Sequence, residues 1–227
     1  MTFDSIRRKN NSRFNEVQVY LNFITSLEPQ SPQGTTSNEV KIMRGLFYVH
    51  LYAVIEKSVN EMVETTISII NSSRVQSNHF TLEFNTIAKI NKIQAIKDCS
   101  NKKMLIKSAD LFEEINSTRV VEINETSFSM KLQNIWADTI EEILTSFGIK
   151  NFRLETEEKV AVNEIVDNRN KVAHGRETAV KIGERHRADA LRRRLNTAQL
   201  LISKVLDSLE DFYTRKAYIK PVARRRY

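Results

Sequence analysis

The sequence predicts an all-α protein, a helical bundle that carries a short irregular or β-hairpin insert and a basic C-terminal tail. Three observations support this. The 227 residues include only 5 glycines and 3 prolines, so long stretches contain no helix-breaking residue. Apolar residues recur at helical spacing in most of these stretches. Residues 118–134 depart from that spacing and favour an extended conformation. We therefore expect one helical domain over residues 1–213 and a basic tail over residues 214–227.

The N-terminal third contains two predicted helices. Apolar residues at helical spacing predict the first helix from Phe3 to Leu27. The segment Glu28–Asn38 has two prolines, a glycine and small polar residues, which indicates a loop. A long helix follows from about Glu39 to Asn71. Its centre, GLFYVHLYAVIEKSV, is apolar around nearly the whole circumference, which predicts a central buried helix.

The middle of the chain is less regular. After a break over residues 71–79, residues 84–101 and 103–117 predict two shorter helices. In the next segment valines and an isoleucine favour strand, so residues 119–131 are predicted to form a short hairpin or an extended loop. A helix then resumes at about Leu132 and stops at Gly148, where a glycine suits the position after a helix.

Two further helices and the tail complete the chain. ETEEKVAVNEIVDNRNKVAHG predicts a helix that Thr156 caps at its N-terminus and that Gly175 terminates. A final long helix is expected from about Glu184 to Tyr213. The remaining segment, TRKAYIKPVARRRY, reads as a basic tail that Pro221 interrupts.

The positive charge is concentrated near the C-terminus. The net charge is +7, and Lys181–Tyr227 has 13 Lys and Arg against 5 Asp and Glu, a balance of +8 that leaves −1 for the other residues. This asymmetry indicates a polyanionic partner, either nucleic acid or a membrane surface, although a solvated basic helix and tail would show the same pattern. Cys99 is the single cysteine, which excludes an intramolecular disulfide and fits a reducing compartment. With no apolar leader and no run of about 18 apolar residues, we expect a cytoplasmic protein without a membrane span.

RNKVAHG, residues 169–175, places a charge where an apolar residue is expected. On a helical wheel Arg169 lies in the middle of an apolar stripe, which is unfavourable unless the guanidinium is paired or hydrogen-bonded. The arginine either reaches to the surface, pairs with a buried carboxylate, or lines a cleft where its charge meets a phosphate. Glu56 is the carboxylate that we expect to pair with it, because Glu56 is also a charge on an apolar arc of its helix.

His174 lies in the last turn before a glycine, where an imidazole often serves only as a cap. Asn170 is four residues earlier on the same face, so its amide could orient the imidazole. The four histidines and the lone cysteine show no metal-ligand spacing, and we expect neither a metal nor another cofactor.

These residues resemble the signature of the HEPN superfamily, whose name denotes higher eukaryotes and prokaryotes nucleotide-binding. The signature is an arginine followed by four residues and a histidine, here Arg169 and His174, with Asn170 and a closing Ala-His-Gly. RGLFYVHLYAVIEKSVNEMV is similar to an earlier core helix of the superfamily, in which Tyr-x-x-x-Glu marks a bacterial branch associated with restriction systems and toxins. The resemblance covers about Arg44–Asn71 and Leu132–Phe212, and the insert matches no part of the pattern.

The resemblance implies a HEPN-like helical core and a metal-independent endoribonuclease that acts as a toxin or defence effector. In such enzymes the 2′-hydroxyl attacks the adjacent phosphate and leaves a 2′,3′-cyclic phosphate. The matching site residues are Arg169, His174 and Asn170, with Glu56 as the acidic residue on the preceding core helix. RNA and a second copy of the chain are the implied partners, and an antitoxin or restriction-system protein is a further one. The alternative is a non-catalytic module that dimerises, binds RNA or acts as an antitoxin-like regulator, because some members keep the fold without cleaving RNA.

Overall fold

The computed structural model describes residues 2–29, 34–125, 132 and 134–227. Within these ranges the structure is helical, with no strand beyond isolated bridges. The α-helices are α1 (Phe3–Ser26), α2 (Asn38–Ser72), α3 (Asn85–Ala88), α4 (Ile90–Lys97), α5 (Asn101–Asn116), α6 (Ala137–Phe147), α7 (Thr156–Ala173), α8 (Ala179–Glu184) and α9 (Ala188–Thr214). Short 3₁₀ helices lie at Ser77–His79 and Pro221–Arg226. The prediction of an all-α bundle is confirmed.

The long helix α2 is the centre of the bundle. It packs against α1, α7, α8 and α9, which surround it on most sides. Its buried side chains point in several directions around the axis and include Phe47, Tyr48, Leu51, Tyr52 and Ile55. The apolar circumference in the sequence therefore predicted its position, since a helix that is apolar all round must be covered all round.

The starts of α6 and α7 differ from the prediction. Helix α6 begins at Ala137 rather than near Leu132, because side chains bind the preceding backbone: Ile135 N–H donates to the Tyr52 hydroxyl at 3.1 Å. The N-terminal cap of α7 is Glu155 rather than Thr156, and its N–H donates to the Glu158 carboxylate at 2.7 Å. Gly148, by contrast, ends α6 in the left-handed conformation with φ of 98°, as its position in the sequence predicted.

Helix α8 was not predicted. The final long helix was expected from about Glu184, but it begins at Ala188, and the separate helix α8 precedes it. Glycines let α8 lie directly on α2: a Cβ built on Gly183 would be 1.8 Å from the Lys41 carbonyl oxygen, and one on Gly45 would be 2.2 Å from the Ala179 carbonyl oxygen. Backbone contacts this close leave no room for a side chain.

The insert is partly described. Its described part, up to residue 125, is extended and bound to the body, since the Asn71 amide bonds both the N–H and the C=O of Ile123 at 2.9 and 2.8 Å. Val120 forms an isolated antiparallel bridge with Gln76. Of the two predicted alternatives, a hairpin or an extended loop, these features fit the extended loop. Residues 126–131 of the insert lie outside the described residues.

The C-terminal segment folds back onto the bundle. Tyr218 and Ile219 are buried, and the Tyr218 carbonyl accepts from Thr81 N–H at 2.9 Å. The Tyr227 hydroxyl is 2.8 Å from Nδ1 of His79. The segment predicted as a tail is therefore partly core, and its basic residues are presented from a packed scaffold. No helix among the described residues combines the length and apolar character that crossing a membrane requires.

Candidate functional site

The end of α7 positions the residues of the RNKVAHG segment. Val162, Ile165 and Val166 are fully buried and hold one face of α7 in the core. The helix runs regularly to Ala173, and His174 is its C-cap. The helix therefore fixes the directions in which the side chains of its last turns point.

The Arg169 guanidinium stacks on an aromatic ring. Its central carbon lies 4.3 Å from the centroid of the Tyr52 ring, a cation–π contact between α7 and α2. One terminal nitrogen donates to the Asn134 amide oxygen at 3.1 Å and to the Asn170 amide oxygen at 2.7 Å. The charge on the apolar stripe is thus accommodated by a ring and two amides. No hydrogen bond from its Nε or its second terminal nitrogen is found to any residue that the structure describes.

The expected direct pair between Glu56 and Arg169 does not form, since no ion pair joins them within the described chain. Tyr52 stands between the two charges instead: its ring lies under Arg169, and its hydroxyl donates to Glu56 Oε1 at 3.2 Å. The same hydroxyl accepts from Ile135 N–H at 3.1 Å. Burial raises the pKa of the Tyr52 hydroxyl, with the Glu56 charge adding to that rise, so the hydroxyl remains a neutral donor.

The expected contact between the Asn170 and His174 side chains is not made either. The Asn170 amide oxygen accepts from Arg169, whereas its backbone carbonyl accepts from the His174 N–H at 3.1 Å, an ordinary helical bond. The His174 side chain is exposed. The structure therefore brings Arg169, Asn170 and Glu56 into one network through Tyr52 and leaves His174 beside it at the helix end.

The sequence did not predict two contacts of this network. Tyr52 is buried and is the tyrosine of the Tyr-x-x-x-Glu pattern, as expected, but an aromatic residue on an apolar helix face gives no sign of a cation–π contact with Arg169. Asn134 has a positive φ of 59°, a conformation that asparagine tolerates better than most residues and that often marks functional positions. Its side chain reaches Arg169 from the end of the insert. Nothing in the sequence around Asn134 indicated this contact.

A second polar cluster lies on another side of α7. The Tyr48 hydroxyl donates to Glu164 at 3.0 Å, and Arg194 donates to the other oxygen of Glu164 at 2.6 Å. His186 Nδ1 lies 3.8 Å from Glu164. Burial raises the pKa of Glu164, but the hydrogen bond and charge of Arg194 outweigh it and lower the pKa overall. Burial also lowers the pKa of His186. This closed ion pair joins α2, α7 and α9.

Among the described residues, no group of three or more His, Cys, Asp or Glu side chains is placed to hold a metal ion. The basic C-terminal residues lie on the surface: Lys220, Arg225 and Arg226 are exposed. Tyr218 is buried and Tyr213 and Tyr227 pack against the core, so none of these tyrosines is a fully exposed platform for bases.

Together, the fold and this network define a class: an α-helical bundle whose last core helix ends in Arg-Asn-x-x-x-His and whose central helix supplies a Tyr–Glu pair. Residues 8–211 match the family model described as RiboL-PSP-HEPN, so the chain belongs to this HEPN family. No curated protein and no solved structure matches the chain. Membership of a HEPN family points in general terms to a ribonuclease or RNA-binding function.

Proposed function

We propose that this protein is a metal-independent endoribonuclease of the HEPN type. The observation that carries the proposal is the state of Arg169: its guanidinium is held in place by a ring and two neutral amides, with no carboxylate bound to it among the described residues. Its positive charge and its remaining donors are therefore available to an anion, and an RNA phosphate presents oxygens that suit the fork of a guanidinium.

The proposed reaction is an intramolecular transfer at phosphorus. The 2′-hydroxyl oxygen forms a bond to the adjacent phosphorus, and the bond from phosphorus to the 5′-oxygen breaks, which leaves a 2′,3′-cyclic phosphate and a 5′-hydroxyl. An imidazole takes the proton of the 2′-hydroxyl and an imidazolium gives one to the leaving oxygen, tasks that suit His174 because an imidazole can both accept and donate a proton. Arg169 stabilises the charge that develops on the phosphate oxygens. Asn170 and Glu56 position Arg169, directly and through Tyr52.

We further propose that two copies of the chain complete the site. On a regular helix Arg169 and His174 point about 140° apart, so one phosphate reaches both more easily if a second copy contributes one of them. Exposed apolar side chains on α2 support such a contact: Ile42 and Leu46 lie within about 80° of Glu56 on the helical wheel. In this arrangement the site face of α2 and α7 is the dimer seam.

RNA cleavage in EDTA tests the proposal. Wild type, Arg169→Ala and His174→Ala are incubated with total RNA, and the new 5′ ends are labelled directly by polynucleotide kinase, which requires a 5′-hydroxyl. We expect labelled products from the wild type and at least about 100-fold less from each variant. Arg193→Ala is the control, since Arg193 is an exposed arginine on α9 whose ion-pair partner among the described residues is Asp189, four residues earlier. Wild-type cleavage that both site variants retain would contradict the assignment.

Mixing the two inactive variants tests the shared site. If Arg169 and His174 act from different copies, a dimer of one Arg169→Ala chain and one His174→Ala chain has one intact site. Random re-pairing of equal amounts then restores about a quarter of the wild-type activity, because half the dimers are mixed and each has one of two sites. If both residues act from the same copy, the mixture stays inactive.

The second candidate is a HEPN module that binds RNA without cleaving it, which the lack of any side-chain contact between His174 and the Arg169 network favours. The basic C-terminal surface would then hold the RNA backbone, and its binding would weaken steeply with salt. Filter binding without any cleavage identifies this case. We also propose a toxin or defence role with an antitoxin or restriction-system partner, for which growth arrest on expression of the chain alone, lost in His174→Ala, is the expected result.

A further inference from the structure

Helices α4 and α5 stand apart from the core. Neither helix has a buried residue, although both are regular. They run antiparallel, since Lys107 Nζ donates to the Ala95 carbonyl at 3.1 Å and the nearly buried Lys89 binds Glu114 at 2.9 Å at the base. We call residues 90–116 the α4–α5 hairpin. At its base α5 also packs against the 3₁₀ helix Ser77–His79, and the rest of the hairpin makes few contacts with the body.

One face of α5 is apolar and uncovered. Leu105 is 75% exposed and Phe112 is 63% exposed. At 100° per residue these two side chains and Ala109 fall within about 60° of one another, with Met104 on the adjacent flank. Lys107 marks the side of α5 that faces α4, so the apolar stripe points away from it. No residue in the described ranges buries this stripe.

A surface of this kind needs an explanation. A helix of 16 residues is only marginally stable by itself in water, and its stability in proteins comes mainly from burial of an apolar face. Large side chains grouped on one exposed face, in contrast to single exposed ones, mark an interaction site. The stripe is therefore an interface that one chain leaves open.

The charges of α5 indicate what covers it. Most charges of α5 lie on the side that faces α4, where Lys107 and Glu114 bind groups of the hairpin and its base. Lys102 and Glu113 instead lie about 60° and about 80° from Leu105, on one flank of the apolar stripe. A second α5 laid antiparallel places Lys102 of each copy beside Glu113 of the other. It also opposes the two helix dipoles favourably.

We propose that α5 is a self-association surface on which a second copy of this chain docks antiparallel through its own α5. The two-fold axis passes between Ser108 and Ala109, so Leu105 of each copy meets Phe112 of the other, and the small central residues let the helices approach closely. A helix of this length, about 24 Å, covers less surface than a standard stable interface, so the association depends on concentration. This contact lies on a different helix from the seam proposed at Arg169 and His174.

Sedimentation equilibrium over a range of concentrations tests this surface. The double variant Leu105→Glu/Phe112→Glu is expected to weaken one association step at least about ten-fold, since it buries charge in an apolar contact. Leu200→Glu is the matched control, because Leu200 is an equally exposed leucine, 71%, on a different helix, α9. This variant should change the dissociation constant of that step by less than about two-fold. Circular dichroism verifies that both variants keep their helices. An unchanged mass distribution in the double variant overturns the proposal.

Charge exchange tests the antiparallel register. Lys102→Glu makes the flank of the stripe acidic, because Glu113 lies on the same flank, and Glu113→Lys makes that flank basic. Each variant alone should associate less than the wild type, whereas an equal mixture should recover association because the two helices are then complementary. Glu114 is kept because it anchors Lys89. Failure of the mixture to recover contradicts the register.

Cross-linking places the axis. In a Cys99→Ser background, Ser108→Cys should give a covalent dimer on mild oxidation, whereas Asp110→Cys, about 140° from Leu105 on the side of α5 that faces α4, should not. If the apolar double variant keeps its mass but retains less RNA, the occupant is RNA and self-association is overturned. RNA cleavage does not enter these measurements, so the proposed activity and this interface succeed or fail separately.

Discussion

The Tyr52 hydroxyl joins two parts of the site network, and the substitution Tyr52→Phe tests this link by removing only the hydroxyl oxygen and its proton. Tyr52 is 1% exposed, and its hydroxyl links Glu56, at 3.2 Å, to Ile135 N–H, at 3.1 Å. Tyr52→Phe keeps the ring under Arg169 and removes only the hydroxyl. The Ile135 N–H is then left without its partner in a buried position, while Glu56 is half-buried and can turn to water.

The expected loss of stability comes mainly from the Ile135 N–H, which stays buried without a partner, and less from Glu56, which can bind water. A buried donor without a partner costs about 1–3 kcal/mol, and a typical net hydrogen bond is worth about 1 kcal/mol. We expect Tyr52→Phe to lower the free energy of unfolding by about 2 kcal/mol, which for a chain of this size is a fall in Tm of about 4–8 °C. Tyr52→Leu should lower it further, by about 1 kcal/mol or more, because the cation–π contact with Arg169 is lost as well.

Urea unfolding and hydrogen exchange measure these effects. Exchange should rise first at residues 134–137, which the Tyr52 hydroxyl and the α7 side chains hold against the bundle. Tyr213→Phe is the control: the Tyr213 ring packs on the core, but its hydroxyl makes no hydrogen bond within the described part of the chain. If Tyr52→Phe stays within about 0.5 kcal/mol of the wild type, a change typical of surface substitutions, the hydroxyl does not hold the network together.

Three further changes follow from other contacts. Gly183→Ala should lower the free energy of unfolding by about 3 kcal/mol in urea unfolding, because its Cβ meets a main-chain oxygen of α2 at 1.8 Å; a neutral result would show that α8 does not pack so closely. Arg194 lowers the pKa of Glu164, so the stability from this pair is present above the unfolded glutamate pKa of about 4.3 and is lost as pH falls through the lower folded pKa. Glu164→Gln should therefore be less stable at pH 7 and lose less below pH 4.3 in thermal scans, and parallel curves would contradict the assignment. Glu114→Gln leaves the nearly buried Lys89 without one charge partner, so hydrogen exchange in α4 and α5 should rise while that of α2 stays unchanged.

The long helices were predictable from the sequence because each buries apolar residues that recur at helical spacing. Helix α2 is apolar around its circumference and is surrounded, and α1, α7 and α9 each show a single apolar stripe that faces it. Helix α8 gave no such signal, since its six residues are too short for periodicity and its position depends on two glycines distant in sequence. The late start of α6 likewise depends on tertiary hydrogen bonds from Tyr52 and Asn163.

The sequence predicted which charged residues belong to the site, but not which contacts they make. Arg169 and Glu56 were singled out because each is a charge on an apolar arc, and the structure places both in one network. Their direct pairing was the simplest solution for two opposite charges, but an aromatic ring accepts a guanidinium as well. The wheel could not show this, because Tyr52 fits the apolar face of α2 and needed no explanation of its own.

A comparison of two neighbouring turns of α2 shows why Arg169 is the candidate for binding an anion. Tyr48 and Tyr52 lie one turn apart, and each hydroxyl donates to a glutamate. At the first turn an arginine, Arg194, closes a direct ion pair with that glutamate at 2.6 Å. At the second turn Arg169 stacks on the tyrosine ring and binds amides, so its charge is not cancelled by a bound carboxylate. Helix α2 thus contacts one arginine whose charge a bound carboxylate offsets, and another, Arg169, with no carboxylate bound to it among the described residues. Of the two, only Arg169 fits the proposed role of binding an RNA phosphate.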